Sequence, residues 1–454
     1  MSNRATEAVL HAASTSLSPA YPSAPPSAHP LAQLHDPATI RARCAAILKS
    51  VEAGVSPSFA IDRGKLPAVA ERVATLTLKR YPDLVIPVHS RWRHFEAGGV
   101  ARKAEMDTLL AGRSVSDVAR ARFDLTVISV LLDAGAGPRW TYTEAASGLK
   151  LQRSEGLGVA SFRAFMAGTF SATVNEPLRA DADALQRIDA AALRSVFQSG
   201  SDDPVVGLEG RAALLVRLGQ ALHREAGRSG LQARPGLMFD RLTDHGTRST
   251  VSAAEVLSEI LRSLSPIWPS GSTVQGLAAG DVWAHRWAGA EVGGGLASKT
   301  EPKSERSTER STDRTTDGWV PFHKLSQWMS YSLLEPLQWA GVTVTGVDAL
   351  TGLPEYRNGG LLLDGGVIRP RDPRLLARTW KPQDEFIIEW RALTVVLLDE
   401  LAVLVRARLN KTAEELPLAC ILEGGTWAAG REIAQELRAD GAPPLRIESD
   451  GTIF

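Results

Sequence analysis

Three glycine-rich junctions gather the side chains best suited to chemistry. The first reads Leu131-Leu132-Asp133-Ala134-Gly135-Ala136-Gly137-Pro138-Arg139-Trp140. An apolar stretch stops at an acid, glycines free the backbone, and a cation and an indole follow. Asp133 could bond a polar ligand there, with Arg139 alongside and Trp140 as a flat apolar wall; the ordinary alternative is a helix C-terminus with glycine caps. The second junction, Asp348 to Gly360, places Asp348, Glu355, Tyr356, Arg357 and Asn358 in one expected loop. Loops that concentrate ionisable groups often carry function, although a solvated turn with a Glu355–Arg357 surface pair also fits. The third, Glu423-Gly424-Gly425-Thr426-Trp427, leads into an expected helix whose first turn ends at Arg431. Free N–H groups at that helix start, the Thr426 hydroxyl and Arg431 would make a phosphate cradle. Asp281, Lys324 and Gln327 are further candidates, each equally able to be a cap or an ion-pair member. Glu335 precedes Pro336, a pairing that predicts a helix break.

Other chemistries lack their residues. The chain contains no GxxxxGK[ST], HExxH or GxSxG pattern, which removes P-loop nucleotide hydrolysis, zinc peptidase chemistry and the serine-hydrolase elbow. Its nine histidines are scattered, and His89 and His94 read as satisfied surface or core residues. Two cysteines, Cys44 and Cys420, cannot build a disulfide scaffold or a thiolate zinc site, so a reducing, cytoplasmic setting is expected.

The elements that must position these groups are mostly helices. Of 454 residues, 44% are hydrophobic, and 51 Lys plus Arg balance 51 Asp plus Glu. That neutrality counts against broad electrostatic attachment to nucleic acid or an anionic bilayer, and no run reaches the roughly 18 apolar residues of a membrane span. The first 36 residues, rich in Ala, Ser, Pro and Thr, read as a disordered tail. A second atypical stretch, 293–317, begins with three glycines and repeats acids at every fourth position from Glu301 to Asp317, which predicts a solvated arm. Residues 37–454 otherwise read as a single helical catalytic domain. Leu208, Ala212, Leu215, Leu218 and Leu222 share one helical face, and the Arg391 to Arg408 stretch has a wider apolar face with Asp399 and Glu400 inside it. Val342 to Thr345, Leu361 to Ile368 and Arg446 to Phe454 read as short strands, the last with an Asp450-Gly451 turn. The fold class is therefore mainly α with small β hairpins, and without a βαβ series.

Taken together, Leu131–Trp140, Arg153-Ser-Glu-Gly-Leu157, Phe165–Ser171, Trp319-Val-Pro-Phe-His-Lys324, Leu350–Gly360 and Leu422–Arg431 resemble a family of uncharacterised proteins tied to uracil catabolism in fungi and bacteria. The likeness spans about Asp36 to Phe454. A more distant resemblance is to the queuosine-salvage N-glycosylase family, which implies a helical, DNA-glycosylase-like core and cleavage of a base from ribose 5'-phosphate. It rests on Asp133–Trp140, on Arg211-x-x-x-Leu215-x-x-x-Gly219, on Lys324-Leu-Ser-Gln327 and on Glu355-Tyr356-Arg357. Glu stands at 355 where that family has Asp, Asn-Gly-Gly follows in place of Val-Pro-Gln, and Gly-Ala-Gly-Pro replaces a more aromatic stretch.

These resemblances imply a step after pyrimidine ring opening, namely hydrolysis of the ribosyl C–N bond of a ribosylurea-type intermediate, with the 5'-phosphorylated form as the expected substrate. Such a reaction needs carboxylate charge beside an oxocarbenium-like carbon, which Glu355, Asp133 or Asp348 could supply, and a proton for the departing nitrogen, for which Tyr356 is a candidate. Lys324, Arg357 or Arg431 would hold a phosphate, and Trp140, Arg139, Asp281, Gln327, Asn358, Glu423, Thr426 and Trp427 are the other substrate-binding candidates. The scheme requires no cofactor or metal, takes a nucleoside- or nucleotide-derived small molecule as its partner, and predicts that Glu355→Gln abolishes turnover. An amidohydrolase or deaminase acting on the opened pyrimidine riboside, or a non-enzymatic nucleotide-binding regulatory protein, are the alternatives.

Overall fold

Local signals set the helix starts. Asp36 caps the first long helix, accepting from the Ala38 N–H at 2.9 Å with Pro37 in the first turn, and Ser252 and Glu255 close a reciprocal capping box on Ala253–Leu264. The computed structural model describes residues 31–137, 139–226, 233–268, 272–289 and 316–448. The helices that build the core and the site are α1 (Pro37–Glu52), α2 (Leu66–Arg80), α3 (Val115–Leu131), α4 (Arg153–Met166), α5 (Lys324–Trp339), α6 (Tyr356–Asp364), α7 (Glu385–Leu409) and α8 (Trp427–Leu437).

The fold is mainly α. Helix α7 lies against α1 and α2, α5 against α3, and α6 against α8. One hydrophobic cluster runs from Ile40 to Ile447 through all of these elements. The acids inside α7 are explained by cations brought to them. Asp399 pairs with Arg41 at 2.9 Å and Glu400 with Arg63 at 2.7 Å. Leu208, Ala212, Leu215, Leu218 and Leu222 are all buried on one face of Leu208–Ala226, as their spacing predicts. The described strands form two-stranded pairs only, among them Phe59–Ile61 antiparallel to Ile368–Pro370 and Thr250–Ser252 parallel to Thr343–Thr345.

Four local expectations change. Leu361–Asp364 is helical rather than extended, because Glu355 caps α6 and Leu361 and Leu362 bury on it; the strand begins only at Ile368. Pro336 lies within α5 without ending it. Proline lacks the N–H that would bond the Ser332 carbonyl, and the Trp92 indole N–H supplies that bond instead at 3.1 Å. The chain is helical from Leu418 through a π turn at Leu422–Thr426 into α8, so the N–H groups near Trp427 belong to a continuous helix rather than a free start. Finally, Leu31 and Leu34, placed in the expected tail, are buried against Val274, Ala279 and Val282. Residues 1–30, most of the 293–317 arm and the Asp450-Gly451 turn lie outside the described residues.

Candidate active site

Asp133 follows the end of α3 and is almost wholly enclosed. Its Oδ1 forms an ion pair with Arg91 Nη1 at 2.8 Å, and its Oδ2 accepts from the Ser154 hydroxyl at 3.1 Å. Burial pushes the Asp133 carboxyl above the ordinary carboxylate range, opposed by Arg91, Ser154 and Arg211. The loop carrying it is tied down by Arg211, a fully buried side chain that donates to the carbonyls of Leu132 at 3.1 Å, Ala134 at 2.9 Å and Gly135 at 3.1 Å. Arg91 is also fully buried and reaches Ser129 Oγ at 2.6 Å and the Ser154 carbonyl at 3.1 Å. Glycines in α4 permit this packing. A Cβ at Gly156 would meet the Trp140 ring at 2.9 Å, and one at Gly158 would meet the Arg91 guanidinium at 3.3 Å.

Lys324 opens α5. Its backbone N–H donates to Asp281 Oδ2 at 3.0 Å, and Asp281 is gripped by both Arg391 terminal nitrogens at 2.7 Å and by the Trp283 indole at 2.6 Å. Burial alone would raise Asp281, yet Arg391 and these donors hold it far below the usual range, so it is a fixed anion that anchors the start of α5. Burial and Arg391 lower the Lys324 ammonium, against the pull of Glu355, Asp281 and Asp133. Lys324 therefore lies in the field of carboxylates drawn from three separate segments.

Glu355 is the N-cap of α6. Its oxygens accept from the N–H groups of Arg357 and Asn358, both at 2.7 Å. Arg357 is lowered by burial and then by Arg153, with Arg431 and Arg438 adding to the effect, which defines a local concentration of guanidinium groups. Contacts bring them together. Gly430 packs so closely on the Arg357 carbonyl that a Cβ would sit 2.1 Å from it, and the next residue, Arg431, pairs with Glu155 of α4 at 3.2 Å. Arg153, at the first position of α4, has φ +54°, and Gln152 before it provides no side-chain cap.

Other predicted residues have structural duties. Asp348 is exposed, caps Leu418 at 2.9 Å and pairs with Arg406 at 3.2 Å. The Tyr356 hydroxyl donates to the Ile447 carbonyl at 3.3 Å, and burial and Glu355 push it up to about 12. Trp140 is a core side chain whose indole donates to Phe197 O at 2.8 Å, while Arg139 is exposed. The Thr426 hydroxyl donates to Asn358 Oδ1 at 2.8 Å where Leu422–Thr426 meets α6. Trp427 is half-buried, with the Arg431 guanidinium 5.8 Å from its ring centre. Gln327 is buried, accepting from Thr351 N–H at 3.3 Å while its amide nitrogen has no partner.

Glu423 supports a part of the site that sequence reasoning missed. It pairs with His89 Nδ1 at 2.8 Å, and its other oxygen takes Arg80 at 3.1 Å and Tyr81 at 3.2 Å. Burial would raise it, but His89, Arg80 and His94 hold it down, to about 2. His94 accepts from Arg91 at 3.0 Å, and the Trp328 ring lies 5.7 Å from His94 and 6.3 Å from His89. The two histidines are close in sequence, but nothing in that spacing points to partners more than 200 residues away on α5 and the 418–437 helix. The buried arginines 91 and 211 are equally silent, except that Arg211 stands in a motif of the glycosylase resemblance.

The architecture defines a class: a mainly helical protein in which an enclosed acid, a half-buried lysine and several arginines are drawn from distant segments. The chain belongs to the family described as "Protein of unknown function (DUF1688)", which matches residues 33–454. It is similar to Protein urg3 of Schizosaccharomyces pombe, 37% identical over 423 residues that cover 91% of this chain and 96% of that protein. It is also similar to Uracil catabolism protein 4 of Lachancea kluyveri, 35% identical over 430 residues, 88% of this chain and 93% of the relative. No helix among the described residues is long and apolar enough to cross a membrane.

Proposed function

We propose that the protein acts in uracil catabolism as an N-ribosyl hydrolase, cleaving a ribosylurea-type substrate to urea and the sugar. The name of the Lachancea kluyveri relative supports the pathway. The observation that carries the chemistry is the enclosed Asp133 carboxylate, braced by Arg91, Ser154 and the Arg211-tied loop, whose charge reaches the half-buried Lys324. A carboxylate raised by burial is a stronger base than a solvated one. Asp133 takes a proton from water as the water oxygen bonds to the anomeric carbon. The C–N electron pair leaves with the ureido nitrogen, which then receives that proton, so the substrate plus one water gives urea and the free sugar. Until the water bonds, the Asp133 charge steadies the oxocarbenium-like carbon.

Glu355 enters as a positioning residue, because both of its oxygens are committed to the backbone that carries Arg357. Arg153, Arg357 and Arg431 suit a sugar 5'-phosphate, whose charge would relieve the mutual repulsion that lowers Arg357. Purified protein is expected to release urea from ribosylurea, faster when the 5'-phosphate is present. Ammonia release with the riboside bond intact would replace this reading with hydrolysis of the ureido amide.

A further inference from the structure

Next to Asp133 lies a set of donors that the reaction above does not employ. Arg91 Nη1 sits 3.0 Å from His94 Nδ1 and 2.8 Å from Asp133 Oδ1, so the imidazole and the carboxylate share one nitrogen. A guanidinium has only donors, which makes His94 Nδ1 the acceptor and leaves the ring proton on Nε2. That Nε2–H meets no described protein acceptor. Burial, followed by Arg91 and His89, drives His94 well below the ordinary imidazole range, with Arg93 adding to this and Glu423 opposing it. The ring is thus a neutral donor of fixed tautomer.

Two more donors lie against it. Arg91 Nη2 and Trp328 Nε1 are buried without a hydrogen-bond partner, and the Arg91 guanidinium lies 5.5 Å from the Trp328 ring centre. A buried donor left unmatched costs about 1–3 kcal/mol, and Arg91 Nη2 and Trp328 Nε1 are two such donors on side chains packed around the His94 ring. The charge of Arg91 is already balanced by Asp133, and His94 and Trp328 are neutral. An uncharged acceptor therefore fits better than an anion, and the flat Trp328 face suits a planar group.

We propose that Arg91, His94 and Trp328 form a subsite for the carbonyl of a ureido group, with His94 Nε2–H donating to its oxygen. The inference rests on the hydrolase reading and names what holds its leaving group. As the C–N bond breaks, its electron pair delocalises onto the ureido oxygen, where a neutral donor stabilises it until the proton held by Asp133 reaches the nitrogen. His94 acts by contact with the substrate, and Arg91 acts as the positioning residue that fixes its tautomer.

Full-length protein labelled with 15N-histidine tests this by NMR, with millimolar urea as the probe and inorganic phosphate as the control. His94 is expected to hold the Nε2–H tautomer without titrating between about pH 5 and 8, and its Nε2 signal is expected to shift with urea but not with phosphate. His94→Ala should lower kcat on ribosylurea by about 100-fold per folded molecule, as expected for a lost transition-state donor, together with a lower unfolding midpoint, because Arg91 Nη1 loses an acceptor. His94→Gln, which keeps a side-chain N–H, should recover part of that loss. An Nδ1–H tautomer, a urea-insensitive signal, or wild-type turnover in folded His94→Ala would overturn the subsite. If the wild-type protein releases no urea from ribosylurea, the hydrolase reading fails, and the urea titration still decides the subsite.

Discussion

The proposed reaction gives Asp133 the charge at the reacting carbon and Glu355 a positioning role, and the Asp133→Asn and Glu355→Gln variants separate the two. Glu355 accepts two backbone N–H groups at 2.7 Å from the first turn of α6. Glutamine keeps one acceptor oxygen but turns an amide nitrogen toward the other N–H, and it removes a negative charge from a helix N-terminus. Loss of a cap costs about 0.5–2 kcal/mol and loss of the dipole interaction about 0.3–1 kcal/mol, so stability should fall by about 1–2 kcal/mol. Were about 1 kcal/mol of this expressed in the barrier, turnover would drop less than about tenfold. Asp133→Asn removes the charge that the proposed reaction sets against the oxocarbenium-like carbon and should cost about 100- to 1000-fold. The assay is urea release from ribosylurea 5'-phosphate, normalised to the folded fraction from denaturant titration. If Glu355→Gln abolishes turnover while Asp133→Asn retains it, the charge belongs to Glu355 and the assignment is reversed.

Other outcomes concern the scaffold. Glu389 is fully buried, bonded by the Ser56 hydroxyl at 2.5 Å, and burial raises it to about 7. The folded state thus holds a proton that the unfolded state releases near pH 4.5. Stability should therefore decline by about 1.4 kcal/mol for each pH step of one between about 4.5 and 7, and then level off; Glu389→Gln should flatten that slope in denaturant titrations. Trp92→Phe should cost about 1–3 kcal/mol by orphaning the Ser332 carbonyl, and less in a Pro336→Ala background, where an N–H returns; a double-mutant cycle with no coupling would refute that bond's role. Asp281→Ala leaves Arg391 buried without its counter-charge and should cost about 3–5 kcal/mol in unfolding free energy. Gly359→Ala places a Cβ 2.2 Å from the Trp390 ring and should lower stability by at least about 1–3 kcal/mol in the same measurement.

Periodicity revealed much of the fold, because a repeat of apolar side chains directly reports a buried face. The Leu208–Ala226 helix, and Glu385–Leu409 around the Arg391 to Arg408 stretch, lie where the pattern places them. The Leu361-Leu362-Leu363 run misled because a short apolar run suits strand or helix alike, and the deciding feature is the Glu355 cap. Pro336 misled because its missing bond is replaced by an indole from Trp92, 244 positions earlier in the chain. At the site, Asp133 and Lys324 were legible as acids and bases at element ends. Arg91, His89 and His94 were not, since their significance comes from burial and from partners that only the folded chain supplies. The Glu423–Trp427 junction looked like a phosphate cradle, yet its Gly424 and Gly425 let α2 approach the 418–437 helix, as Gly430 lets α6.

The π turn at Leu422–Thr426 adds a widened ring to an otherwise regular rod, with Trp427 N–H reaching back five positions to Leu422. One extra residue shifts the angular phase of everything beyond it by about 100°, the rotation of one α-helical step. That offset lets a single rod address two neighbours: Glu423 grips His89 on one flank, and Arg431 grips Glu155 on another. A one-residue deletion inside the widened ring would restore an even winding and set those two grips out of register, so insertions and deletions there should be far less tolerated than in the exposed connections around it.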